Sequence, residues 1–510
     1  MKNKLLYIFL FGLIGLSSCK EDFLNLSPKT AVTSASFYKT ATHFDQALVG
    51  AYESMRTIAL NGIYTDEMRS DNTFFTLYSG DRGPYLPIEC IVEFLDDETT
   101  IGRIPNRYSA VYSGISRVNT ILTRIDGSEM TENEKNAVLA EALFLRAFYY
   151  LDLVQHWGPV PLMLKEVTNE ADAFQPNSTV EAIYKQIIED VSKAIQIGLP
   201  VAKTFPQSGR ATMGAAKMLL AYAYMTKPAK EYSLAQAALL DITKMNYSLL
   251  DSYASVFDPA NKNHQESIFE VQYKEGEGGQ QSDFAWYMIP KCSNTEFLMG
   301  VSASNYTTAG WNVPTQEMID SYESGDNRLN ASVAVAEGTL DEEQFTVEAV
   351  KSIVDYKPTA GKGYRYFVTK YYHPPYSQGY NTGDNFPIYR YSGALLLLAE
   401  CLVEQNKPAE ALPYINQVRK RAGLTPLSVV TKENVANEMR HELAFENHRW
   451  TDLIRTGKAI EVMNKHGVEM KKLYPWILPS AYNVTKERLV YPFHFRELNV
   501  NKNLVQNPGY

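Results

Sequence analysis

Apolar residues recur at helical spacing along much of the chain, in blocks that come in twos. From Thr42 to Ala59, Phe44, Ala47, Leu48, Ala51, Tyr52 and Met55 fall on one helix face; a second block runs from about Pro105 through Tyr108, Tyr112, Ile115, Val118 and Leu122. The two predicted helices are separated by an aromatic loop, about 60–104. Leu139, Leu143, Ala147, Tyr150 and Val154 form the next stripe, ended by Gly158-Pro159-Val160-Pro161, and its partner runs from Val180 to Ile197 before Gly198 and Pro200 stop it. A third pair, Ala211 to Met225 and Leu234 to Met245, is rich in Ala, which lets helix axes approach closely.

The fourth pair carries the most specific pattern. Tetratricopeptide hairpins place small residues twelve apart among large apolar ones, and Ala399 and Ala411 occupy those places. Leu395, Leu398 and Leu402 precede the turn at Asn406-Lys407-Pro408, and Ile415 and Val418 follow it, although the repeat's usual Trp, Gly and Tyr are absent. The predicted fold is mainly α, a tetratricopeptide-like scaffold of four helical pairs with a loop-rich insert and short strands. The scaffold covers 42–245 and 390–424, the insert 246–389, and a C-terminal helix and tail 425–510. In the insert, Gly276, Gly278 and Gly279, the run Tyr306 to Trp311, and Tyr371-Tyr372-His373-Pro374-Pro375-Tyr376 alternate turn residues with aromatics. Such loops on a rigid frame are where recognition usually resides.

At the amino terminus Lys2 and Lys4 precede an apolar run from Leu5 to Leu16, too short to span a bilayer and suited to a secretory signal. Leu16-Ser17-Ser18-Cys19 reads as a lipoprotein cleavage box. Residues 1–18 are then the signal peptide, Cys19 the lipidated first residue, and 19–41 a tether. Diacylglycerol on the thiol with a further acyl chain on the amine supplies the two hydrophobic signals that stable anchoring requires.

Composition narrows the function. The chain has 510 residues, more than one core usually serves, and 45% of them are apolar. A net charge of −9 argues against nucleic-acid binding, which needs a basic footprint. The 34 Tyr outnumber the 22 Phe and 5 Trp together, and a Tyr ring with its polar tip suits a wet binding surface. Cys90, Cys292 and Cys401 are too few and scattered for a zinc site, and their odd number fits buried free thiols.

No motif demands catalysis, a metal or a cofactor. On a predicted helix from about Glu433 to Ile460, Met439, Leu443, Trp450 and Leu453 mark an apolar stripe that also holds Glu446. Arg449, Glu442, Asp452 and Arg455 lie within one or two turns, so an ionic network at that spacing outweighs a glycosidase pair made of Glu442 and Glu446. His441-Glu442-Leu443-Ala444-Phe445 lacks the second His of a zinc-protease helix, and the glycines at 276–279 lack the Lys-Ser/Thr ending of a phosphate loop. Asp96-Asp97-Glu98 reads as a solvated acidic turn. Trp157, Trp450 and Trp476 read as packing residues, whereas Trp286 and Trp311 lie in the insert, where a flat ring can stack on a sugar. Tyr78 and Tyr85 of the first loop, with Tyr287, Tyr306 and Tyr376, join them as candidate ligand-binding residues.

Several segments together resemble the SusD/RagB family of Bacteroidetes surface lipoproteins. They include Cys19-Lys20-Glu21-Asp22-Phe23-Leu24, whose charges resemble a surface-export tag, Ala140-Glu141-Ala142 through Gly158-Pro159-Val160-Pro161, Gly209-Arg210-Ala211-Thr212 and Pro314-Thr315-Gln316-Glu317-Met318. Further on come Arg390 with Ala399-Glu400, Asn416-Gln417-Val418-Arg419, Glu442 to Glu446 with His448-Arg449-Trp450, and the closing Gln506 to Tyr510. Asp326-Asn327-Arg328 departs from the family's Asp-Pro-Arg. The resemblance implies an outward-facing outer-membrane lipoprotein, non-catalytic and without cofactor, that binds oligosaccharides as the lid of a SusC-like TonB-dependent transporter. Some relatives handle peptides, and ligand contacts vary among members, so the resemblance transfers no binding residue. A purely structural lid and, last, a hydrolase remain the alternative readings.

Overall fold

A computed structural model describes residues 37–75, 83–301, 308–341 and 344–510. Cys19 and the whole amino-terminal segment lie outside them. The scaffold is a row of eight helices: α1 (Ala41–Gly62), α2 (Arg103–Arg124), α3 (Glu132–Trp157), α4 (Val180–Ile197), α5 (Met213–Thr226), α6 (Tyr232–Ile242), α7 (Tyr391–Glu404) and α8 (Pro408–Arg421). Each packs on the next, and α6 packs on α7 although the insert separates them in sequence. The array is therefore one stack of four pairs. Threonine caps set several starts: Thr131 and Glu134 form a capping box ahead of α3, and the Thr179 hydroxyl accepts from the Ala182 N–H at 3.2 Å.

Small residues permit this closeness. Ala215, Ala216, Ala221, Ala223, Ala399 and Ala411 are all buried between helices. At Gly114 of α2 a Cβ atom would stand 2.5 Å from the Tyr149 ring of α3, so only glycine fits there. Tyr149 closes the contact by donating its hydroxyl to the Ala51 carbonyl of α1 at 2.5 Å.

The insert holds two sheets. β1 (Ser267–Val271) pairs antiparallel with β5 (Phe386–Arg390), and β2 (Val333–Asp341) lies between β3 (Gln344–Ser352) and β4 (Gly363–Val368). A two-residue ladder, Thr73↔Pro314 and Phe74↔Val313, ties the segment after α1 to the insert. Among the described residues no helix is long and apolar enough to cross a membrane.

Four expectations need correction. The single helix from 433 to 460 is three helices: α9 (Lys432–Glu442), α10 (Arg449–Arg455) and α11 (Ala459–Leu473). Phe445 and Asn447 take positive φ values of 65° and 62°, because Glu67 draws the backbone N–H groups of both residues onto its carboxylate at 3.0 Å. Asp96 is not solvated but buried, 2.6 Å from Arg69. Cys401 is a buried free thiol, whereas Cys90 and Cys292 are only half-buried. Trp157 and Trp450 are interior, but Trp476 is 50% exposed. At the Asp-Asn-Arg departure, Asp326 caps a helical turn through the Arg328 N–H at 2.9 Å, so the turn forms without proline.

Candidate functional site

The ladder at Thr73 and Phe74 brings α1's end beside the insert, and backbone bonds then align two aromatic segments. Trp311 donates its N–H to the Tyr287 carbonyl at 2.7 Å, and Gly310 to Ile289 at 2.8 Å. Trp311 and Tyr287 consequently stack, with ring centroids 5.5 Å apart and planes 5° from parallel. Tyr85 and Tyr64 meet the indole edge-on at 5.9 Å, and Phe75 lies 5.5 Å away. Phe75 and Tyr64 are buried supports, whereas Trp311, Tyr287 and Tyr85 are half-buried and keep part of their rings at the surface. Arg103 adds a guanidinium 3.9 Å from the centre of the Tyr64 ring. Tyr287 donates its hydroxyl to Asp283 at 3.2 Å. Burial, reinforced by the Asp283 carboxylate, pushes the Tyr287 hydroxyl up to about 12, and burial likewise raises the Asp283 carboxyl.

Three of the sequence-predicted residues thus come together: Trp311, Tyr287 and Tyr85. Tyr78 and Tyr306 lie outside the described residues. Trp286 and Tyr376 differ from the expectation of open rings, at 0% and 8% exposure. They fill a second core with Ile289, Leu298, Met299 and Phe367 beneath the three-stranded sheet. The cause is local: on the helical turn Phe284–Met288, successive side chains diverge by about 100°, so residue 286 faces the sheet while 287 faces Trp311. Tyr376 folds inward because its hydroxyl receives the His373 N–H at 2.8 Å and donates to the Tyr371 carbonyl at 3.2 Å.

Sequence reading missed Tyr380, half-buried with its ring 4.9 Å from Trp286 and 6.5 Å from Tyr287. It placed hydrogen-bonding Asp, Asn or Arg side chains in the loop 60–104 and in the insert without singling out Arg103 and Asp283, because their membership depends on what folds beside them. A separate cavity of about 320 Å³ is lined by Lys274, Glu275, Gly276, Glu277, Gly278 and Gln280, with no ring for stacking.

The carboxylates weighed as catalytic are structural. Glu442 and Glu446 are buried, and Arg390 bridges them at 2.9 Å and 2.7 Å. Lys370 reaches Glu446 at 2.8 Å, Arg328 reaches Glu442 at 3.3 Å, and Arg421 binds Glu442 and, at 3.0 Å, Glu266. The partners come from distant segments rather than from the neighbouring helix turns; Arg449 instead binds Asp71 at 2.7 Å, and Arg455 binds Asp452 at 2.9 Å and Glu400. Although burial opposes ionisation, these cations hold both glutamates below the usual carboxylate range, while burial brings the Lys370 amine down to about 8. Both carboxylates are enclosed and ion-paired. Among the described residues, no group of three or more His, Cys, Asp or Glu could hold a metal ion.

Comparison with known proteins agrees with this architecture. The SusD family model matches residues 265–510, and a model described as starch-binding associating with outer membrane matches 22–225. A SusD-like protein of Formosa agariphila is 26% identical over 556 residues covering 100% of both chains. Among solved structures, a laminarin-binding SusD-like protein aligns with a TM-score of 0.74 at 27% identity, over 93% of this chain and all of that one. Surface glycan-binding protein A from Bacteroides thetaiotaomicron, in complex with laminarihexaose, shares the fold with a TM-score of 0.71 at 23% identity, over 91% of this chain and 99% of that one. With one model matching each half, relatives aligned end to end and the same helical stack, the chain belongs to the SusD family.

Proposed function

We propose that this protein binds oligosaccharides at the cell surface without cleaving them, using the half-buried aromatic cluster around Trp311. One observation carries the reading: Tyr287 and Trp311 stack in parallel on irregular segments and stay partly at the surface, whereas Trp157, Trp286 and Trp450 are sealed inside. A flat apolar ring matches the C–H face of a pyranose, and half-burial fixes its orientation before the ligand arrives. The relatives described as binding starch or laminarin support the ligand class. Tyr85 and Tyr380 extend the platform.

In this reading, Cys19 carries the lipid that holds the protein to the outer membrane, and a TonB-dependent transporter is the partner that receives the ligand. Titration calorimetry against a panel of oligosaccharides tests the binding claim, with wild type beside Trp311→Ala and Trp286→Ala. Trp311→Ala is expected to lose binding, while Trp286→Ala lowers stability and spares the affinity of the folded protein. Equal affinity in wild type and Trp311→Ala would remove the site. Cys19→Ala is expected to move the protein from the membrane to the soluble fraction. Mild detergent extraction of the wild type should bring a large barrel protein with it; recovery of the chain alone would dismiss the lid role.

A further inference from the structure

The Trp311 cluster contains two opposite charges that do not meet. Arg103, the first residue of α2, is half-buried; its guanidinium covers the Tyr64 ring at 3.9 Å and lies 5.9 Å from the Tyr287 ring. Among the described residues its one side-chain hydrogen bond goes to the Tyr64 hydroxyl at 3.1 Å, and no carboxylate lies within ion-pair distance of it. The first turn of α2 has no acidic residue to offset its charge. Asp283, also half-buried, accepts a hydrogen bond from Tyr287 and feels the field of Arg103 without touching it.

The fully buried arginines are arranged differently, whereas the half-buried Arg56 and Arg488 resemble Arg103 in lying over a tyrosine ring with no carboxylate in ion-pair range among the described residues. Arg69 meets Asp96 at 2.6 Å, Arg107 meets Asp66 at 2.6 Å, and Arg146 meets Asp190 at 2.7 Å. Burying an unmatched charge is costly, so the fold matches its fully buried arginines. Around Trp311 it leaves a donor and an acceptor facing the same rings. The Trp311 indole N–H adds a further donor, buried without an acceptor among the described residues.

Building on the proposed glycan site, we infer that Arg103 and Asp283 are its polar half and select a neutral, hydroxyl-bearing sugar. The planar guanidinium donates to sugar oxygens, and the carboxylate accepts from sugar hydroxyls on the ring held against Trp311 and Tyr287. Arg103 attracts an anionic sugar, but its guanidinium is held over the Tyr64 ring and bonded to that hydroxyl, whereas Asp283 sits directly at the Tyr287 hydroxyl; a carboxylate or sulfate on a sugar held against Tyr287 would meet the like charge of Asp283 at the shorter range. Neutral oligosaccharides therefore bind in preference to uronate-containing or sulfated ones.

The test is calorimetric titration of the full detergent-solubilised chain with laminarihexaose, an oligogalacturonide hexamer and sulfated laminarihexaose. Wild type, Arg103→Met, Arg103→Lys, Asp283→Asn and Trp311→Ala are compared, with near-ultraviolet circular dichroism as the folding control. Wild type is expected to favour laminarihexaose over both acidic probes. Each polar variant should weaken laminarihexaose about tenfold or more, the loss expected for a hydrogen bond to a charged group. Asp283→Asn should also narrow the gap between neutral and acidic probes. Arg103→Lys keeps the charge and loses the planar fork, so it should recover little of the loss. Acidic probes binding as tightly as the neutral one would overturn the inference. So would Arg103→Met and Asp283→Asn affinities unchanged while Trp311→Ala fails, an outcome that leaves the aromatic platform standing. If wild type binds none of the three probes, the inference falls; if Trp311→Ala also leaves a measured affinity unchanged, the site in the proposed function falls as well.

Discussion

The ion cluster around Glu442 and the aromatic cluster around Trp311 are both assembled from segments far apart in sequence, and both hold groups that are costly to leave unmatched. In the first, Glu442, Glu446 and Glu266 are shared among Arg328, Arg390, Arg421 and Lys370, so that every one of these charges has an opposite charge against it, although the Arg421 Nε lacks an acceptor among the described residues. In the second, rings remain partly at the surface and Arg103 and Asp283 stand apart. On the function proposed above, the contrast separates structure from recognition. A charged group whose partners are complete stabilises one arrangement of the chain, whereas an incomplete set is ready to be completed by a ligand.

The largest effect should come from breaking the complete set. Glu446→Ala strands Lys370 in the interior and leaves Arg390 with Glu442 and Glu266 alone, and denaturant unfolding should report a loss of about 3–5 kcal/mol. A loss below about 1 kcal/mol would mean that water or rearrangement replaces the carboxylate, and the contrast would fail. Next is Trp311→Ala, expected to weaken the tightest oligosaccharide by about 2 kcal/mol, roughly thirtyfold in Kd, while the fold persists.

A subtler effect concerns Glu67. Burial pushes its carboxyl from 4.5 to about 7. Between those values the folded chain holds a proton that the unfolded chain has released, so this group's contribution is present at low pH and lost as pH rises through about 7. His441, depressed by burial to about 3, works in the opposite direction below its ordinary value. The informative quantity is therefore the stability difference between wild type and Glu67→Gln, which should shift in favour of the variant from pH 5 to pH 8. A difference independent of pH would show that Glu67 is ionised throughout.

The smallest effect belongs to Trp476→Ala. The ring is half exposed beside Tyr474, outside both clusters, so stability should change by no more than about 0.5 kcal/mol and sugar affinity should stay the same. A tenfold loss of affinity would extend the site beyond the Trp311 cluster.

Within the insert, adjacent residues show where sequence reading stops. Trp286 and Tyr287 are indistinguishable as aromatic candidates, yet a single helical turn sends one beneath a sheet and the other to the site. The ionic role of Glu446 was legible because a carboxylate on an apolar stripe needs a partner. Its partners were not, since Arg390 and Lys370 arrive from strands and loops more than fifty residues away. Sequence alone also predicted a continuous helix through Phe445, because nothing local announces that Glu67 will capture two backbone N–H groups there.

The sequence by itself determined the paired helices, the small contact residues Ala399 and Ala411, and the family, because helical periodicity and close approach are written in residues a few positions apart. Only the tertiary structure decided which rings are sealed, which charges are matched and which are left apart. Burial and pairing depend on the layer that packs over a side chain, and that layer comes from elsewhere in the chain.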